Sequence, residues 1–151
     1  MTTRERIDAD CSEAAKARQA DKLSTLRLLR AALKYVEIEK MKPLAEEDVI
    51  EVVGRELKKL RDALESYVAG KRADLAAKAE AEMAILQAYL PEQLGDEALK
   101  ELVRQKIAVI GTVTAKDFGR VMSEVMKEAK GKADGTKVSA AVKEIIAASS
   151  S

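Results

Sequence analysis

The residues best suited to chemistry lie near the C-terminus, where Lys130-Gly131-Lys132-Ala133-Asp134-Gly135 sets two lysines around one glycine and a second glycine after an aspartate. Two glycines free the backbone to present N–H groups, and the lysines flank them. Lys137 falls at the start of the helix that follows, where an anion is favoured. That combination suits phosphate. The same residues also read as a helix-closing glycine followed by an Asp-Gly turn with no ligand at all. No Walker-A loop and no GxGxxG pattern occurs.

Three other groupings invite a functional reading, and each has a structural one beside it. Arg27, Arg30 and Lys34 fall at i, i+3 and i+7, so on a helix they line one flank and can track phosphates, or simply border a core stripe in solvent. Tyr35, Tyr67 and Tyr89 can stack on bases, but each sits in or beside an apolar stripe that suits a core or an interface. Glu46, Glu47, Asp48 and Glu51 resemble a cation site, yet first-turn acids are ordinary helix-start chemistry.

Catalytic groups are scarce. Cys11 is the one cysteine and histidine is missing, which excludes an intramolecular disulfide, a thiolate zinc site and any Ser-His or Cys-His pair within this chain. No catalytic residue, metal site or cofactor is therefore expected.

The elements that must position these residues are helices. Hydrophobic residues make up 47% and charged residues 35%, with aromatics at 3% and two prolines, a profile that suits amphipathic helices and starves sheets. A weak helical pattern runs from Arg4 to Gln19 through Ile7, Cys11 and Ala14, then a stronger one through Leu26, Leu29, Leu33 and Val36. Beyond Pro43, Val49, Val53, Leu57, Leu60, Leu64 and Tyr67 predict a third helix closed by a left-handed Gly70. Leu75, Ala79, Met83, Leu86 and Leu90 predict a fourth that ends at Pro91.

Pro91-Glu92-Gln93-Leu94-Gly95 joins a residue that cannot continue a helix to one that bends freely, so it reads as a linker. Beyond it, Leu99, Val103, Ile107 and Ile110 mark a fifth helix ended by Gly111. Thr114 and Asp117 form a capping-box-like start for a sixth, which buries Phe118, Val121, Met122 and Val125. A last helix carries Val138, Ala141, Val142 and Ile145 before a frayed serine tail. The expectation is an all-α chain, with a helical N-terminal domain over 1–90, a linker at 91–95 and a small three-helix domain over 96–151.

Charge and hydropathy set further bounds. Residues 1–95 carry 17 basic against 18 acidic side chains and residues 96–151 carry 10 against 8, so neither part is a polycation, and nucleic-acid binding needs its cations gathered on one face. MTTRERIDAD places charges where a secretory signal needs an apolar stretch, and no run approaches the roughly 18 apolar residues of a membrane span. A cytoplasmic protein with no membrane partner is expected.

Two longer stretches carry a family resemblance. Arg72-Ala73-Asp74-Leu75, followed by Ile85-Leu86-Gln87-Ala88-Tyr89-Leu90-Pro91-Glu92-Gln93-Leu94, resembles the signature of the YqeY-like proteins. So does Gly119-Arg120-Val121-Met122, followed by the Lys130–Gly135 turn. Leu60 and Ala63 depart from the pattern, standing where relatives often carry a basic residue and a serine, which argues against a shared polar site on the third helix.

The resemblance implies a helical N-terminal domain and a small C-terminal domain. The latter is similar to the tail of the amidating subunit of the glutamine-dependent aminoacyl-tRNA amidotransferases, a tail that helps to hold transfer RNA. In those enzymes the catalytic parts lie elsewhere, and nothing here corresponds to them. The implied role is a non-catalytic module that binds transfer RNA or assists a transfer-RNA-modifying complex, with Arg120, Lys130, Gly131, Lys132, Gly135 and Lys137 as the RNA-binding residues. Gly119 has a structural reading as well, a close helix contact. Two alternatives stand beside that role: a protein-interaction adaptor using the apolar margins of the N-terminal helices, and a carbon–nitrogen ligase activity that rests on the resemblance alone.

Overall fold

The computed structural model describes residues 1–149, and the described residues form seven α-helices and one 3-10 turn, with no strand. The chain is all-helical. Ser150 and Ser151, the end of the expected frayed tail, lie outside the described residues. The chain divides into two compact units, Met1–Leu90 and Pro91–Ser151.

The first unit holds α1 (Thr3–Lys16), α2 (Ala20–Lys40), α3 (Glu46–Ala69) and α4 (Ala73–Gln87). Helix α1 opens on a capping box, because the Thr2 hydroxyl accepts from the Glu5 amide at 3.1 Å and the Glu5 carboxylate accepts from the Thr2 amide at 3.1 Å. Ile7 and Cys11 from α1, Leu26, Leu29, Leu33 and Val36 from α2, Val49, Val52, Val53 and Leu57 from α3, and Leu86 with Tyr89 close one core. Leu64, Tyr67 and Leu75, expected in the core stripes, are only half-buried. Leu60 of α3 and Met83 of α4 still pack against this core, whereas Leu64, Tyr67 and Leu75 lie outside it.

Two helix ends differ from the sequence expectation. Gly70 sits at φ −82°, and the left-handed residue is Lys71 at φ 57°. The Lys71 amide donates to the Val68 carbonyl at 3.1 Å and the Arg72 amide to the Tyr67 carbonyl at 2.8 Å, the paired bonds of a Schellman end displaced by one residue. Helix α4 stops at Gln87 rather than running to Pro91, and Ala88–Leu90 form a tighter turn through Tyr89 N–H to Leu86 O and Leu90 N–H to Gln87 O, both at 3.1 Å. A residue before proline is disfavoured in helix, and the turn swings Tyr89 into the core.

The second unit holds α5 (Asp96–Ile110), the 3-10 turn Ala115–Asp117, α6 (Phe118–Ala129) and α7 (Gly135–Ser149). Leu99, Leu102 and Val103 meet Val121, Val125 and Ala129, with Val138, Val142, Ile145 and Ile146 closing a second core. The Thr114 amide donates to Asp117 at 2.8 Å, so the expected cap is present, but it opens the 3-10 turn that leads into α6. No helix of the described residues is long and apolar enough to cross a membrane.

Candidate nucleic-acid interface

Helix α6 ends on a tight turn whose type dictates one residue. Lys130 has φ −58° and ψ 124°, Gly131 has φ 79°, and the Lys132 amide donates back to the Ala129 carbonyl at 2.8 Å. Those values define a type II turn, whose third position requires a positive φ and so favours glycine. The Lys130 amide donates to Met126 O at 3.1 Å and the Ala133 amide to Ala129 O at 3.1 Å. The amides of Lys130, Lys132 and Ala133 thus serve the end of α6 instead of facing outward to an anion.

The carbonyl side of the turn is also engaged, by the segment read as the linker. Gln93 Nε2 donates to Gly131 O at 2.9 Å, and the Leu94 amide donates to Lys132 O at 2.8 Å. Leu94 also packs on the second core. Beyond the turn, the Asp134 carboxylate accepts from the Thr136 amide at 3.0 Å, and Asp134 O accepts from Val138 N–H at 3.0 Å. Asp134 thereby caps α7, and its negative charge occupies the position where the helix dipole was expected to draw a ligand.

The lysine side chains of this segment reach solvent. Lys130, Lys132 and Lys137 are exposed around the turn. Lys116, Arg120, Lys132 and Lys137 have no carboxylate within ion-pair distance among the described residues, whereas Lys100, Arg104, Lys106 and Lys127 are paired with Glu144, Glu101, Glu128 and Glu124. Arg120 stands apart. It lies in the first turn of α6, ten residues and about 15 Å of helix from Lys130. That end of α6 adjoins the last turns of α7, where Phe118 shares a groove with Lys143 and Ile146. The structure therefore brings Lys130, Gly131, Lys132, Gly135 and Lys137 together and leaves Arg120 at the other end of its helix.

Gly119 does not make the close helix contact expected of it, since an added Cβ there would meet nothing within 4 Å. A Cβ added at Gly135 would likewise meet nothing within 4 Å. Among the other groupings, Arg30 is held on α1 by Asp8 at 2.9 Å, which divides it from Arg27 and Lys34. Tyr89 is buried, Tyr67 half-buried and Tyr35 exposed. Glu46 accepts from the Thr3 amide and hydroxyl at the start of α1, Asp48 accepts from the Ala45 amide at 3.1 Å and pairs with Lys40 at 2.7 Å, and Glu51 pairs with Arg55 at 3.2 Å. These acids are engaged in starting helices and in surface pairs.

Residues 4–146 match the family model described as Yqey-like protein. The chain belongs to the YqeY-like family. Over 148 residues, 95% of this chain and 80% of the relative, it is 29% identical to altered inheritance of mitochondria protein 41, mitochondrial, of Pyrenophora tritici-repentis. Over 77 residues, 51% of this chain and 63% of the relative, it is 32% identical to an uncharacterized protein of Schizosaccharomyces pombe. Within this YqeY-like chain, Lys132 and Lys137 at the α6–α7 turn are exposed and have no carboxylate partner among the described residues.

Proposed function

We propose that the chain is a non-catalytic helical module that holds transfer RNA, alone or for a transfer-RNA-modifying complex, through the lysines around the α6–α7 turn. The observation that carries this reading is that Lys132 and Lys137, on either side of Asp134, lack a carboxylate partner among the described residues, while Lys100, Arg104, Lys106 and Lys127 of the same unit each have one. Leaving cations unpaired on a unit of nearly balanced charge suits an anionic partner. The resemblance of this unit to the tail of the amidating subunit of the amidotransferases supplies the identity of that anion.

On this reading the helices from Asp96 onward form the RNA-holding domain, Met1–Leu90 forms a separate helical domain, and the protein works in the cytoplasm, where transfer RNA is charged. Because the Lys130, Lys132 and Ala133 amides are engaged within the fold, recognition on this reading rests on lysine side chains and on phosphate, which positions an RNA without reading its sequence. Fluorescence anisotropy of labelled transfer RNA tests this. The full chain should bind several transfer RNAs alike, and Lys132→Ala with Lys137→Ala should weaken all of them together. Equal affinity of the wild type and this double variant would remove the turn from the role.

A further inference from the structure

The face of α2 that points away from the core carries a second apolar stripe. Leu28, Ala31, Tyr35 and Ile38 follow at steps of three, four and three residues, the a/d spacing of a coiled-coil seam. Leu28 is 68% exposed, Tyr35 70% and Ile38 67%, although Leu26, Leu29 and Leu33 on the opposite side of the same helix are fully buried. Lys34 takes a g position beside this seam and Glu39 the following e position. Neither has a hydrogen-bond or ion-pair partner among the described residues.

We propose that this stripe pairs with the same stripe of a second copy, with the two α2 helices parallel. In a parallel pair a g residue meets the e residue five positions on in the other helix, so Lys34 of each copy meets Glu39 of the other, twice by symmetry. An antiparallel pair would instead set Lys34 against Arg27, both g residues and both cations. The charges therefore select a second copy in one orientation. The stripe offers on the order of 400 Å² per copy, roughly 800 Å² for the pair, which is below the ~1,200–2,000 Å² of stable complexes and specifies a reversible, concentration-dependent dimer. This inference is independent of the RNA reading.

Sedimentation equilibrium of the full chain, from about 10 µM to about 1 mM, tests it without RNA. The average mass should rise from 16.4 kDa towards twice that value with concentration. Tyr35→Glu should abolish the rise with helicity retained. Lys34→Glu and Glu39→Lys should each weaken association several-fold, and the two together should restore it. A wild type that stays monomeric throughout, leaving the seam to a helix of some other protein, would overturn the proposal. So would a Tyr35→Glu variant that associates like the wild type, or a double charge swap that associates no better than the single ones.

Discussion

The Leu94 amide donates to the Lys132 carbonyl at 2.8 Å, which fastens the segment after Pro91 to the turn that ends α6. That bond depends on the path of the type II turn, and the turn depends on Gly131 at φ 79°. Gly131→Ala should destabilise the protein by about 1 kcal/mol or more, because a Cβ is strained at positive φ. Hydrogen exchange at the Leu94 amide should speed up in the variant. An unchanged denaturation midpoint with unchanged protection at Leu94 would show that the turn does not hold this segment.

Gly119 gives the opposite expectation. It lies exposed in α6 with open space around it, so Gly119→Ala should stabilise by roughly 0.5–1 kcal/mol through the lower entropy of the unfolded chain. Chemical denaturation followed by circular dichroism measures the shift. A loss of stability would restore the close contact that the sequence suggested.

Lys71 occupies a left-handed position at φ 57° that suits glycine, and its amide already makes the helix-closing bond to Val68. Lys71→Gly should therefore gain about 0.5–1 kcal/mol by relieving the backbone. Thermal unfolding of the full chain compares the two proteins, and a lower midpoint for the variant would argue that the lysine side chain contributes more than its backbone costs.

The helices were legible in the sequence because most of them bury a single stripe. Leu26, Leu29, Leu33 and Val36, and likewise Val121 and Val125, repeat at helical spacing and are buried where that spacing put them. Periodicity says nothing about how deeply a stripe is covered, so Leu64 and Tyr67 read as core although they are half-buried and lie outside the core cluster. It also hides a helix with two apolar faces, which is why Leu28, Tyr35 and Ile38 did not read as a second seam. The shift of the left-handed residue from Gly70 to Lys71 is a matter of one-residue register that composition cannot resolve. At the basic turn the sequence showed the cations and glycines. The use of its amides to close α6, and of Asp134 to cap α7, depends on backbone direction.

The Tyr89 hydroxyl donates to Asp10 Oδ2 at 2.6 Å across the first unit, and Arg6 lies 5.3 Å from the centre of its ring. Burial first, and then the bond to the Asp10 carboxylate, push the phenol well above its ordinary value of 10.0. A folded-state value raised above the unfolded one means that the neutral phenol's contribution is fully present below pH 10 and is lost as pH rises from there. The unfolding midpoint of the wild type should fall more steeply above pH 10 than that of Tyr89→Phe. At neutral pH the variant should lose about 1.5–3 kcal/mol, the contribution of a hydrogen bond to a charged acceptor. Parallel pH profiles would place Tyr89 outside the stabilising contacts.

The most direct test of RNA holding at the α6–α7 turn is a salt titration of transfer-RNA binding by the full chain and by Lys132→Ala with Lys137→Ala, after matching their helicity. Removing one lysine–phosphate interaction should lower the magnitude of the log–log salt slope by about 0.7 to 0.9, so the double variant should fall by about 1.4 to 1.8, with affinity dropping alike for every transfer RNA. Identical slopes and affinities for the two proteins would contradict an RNA-holding role for this turn.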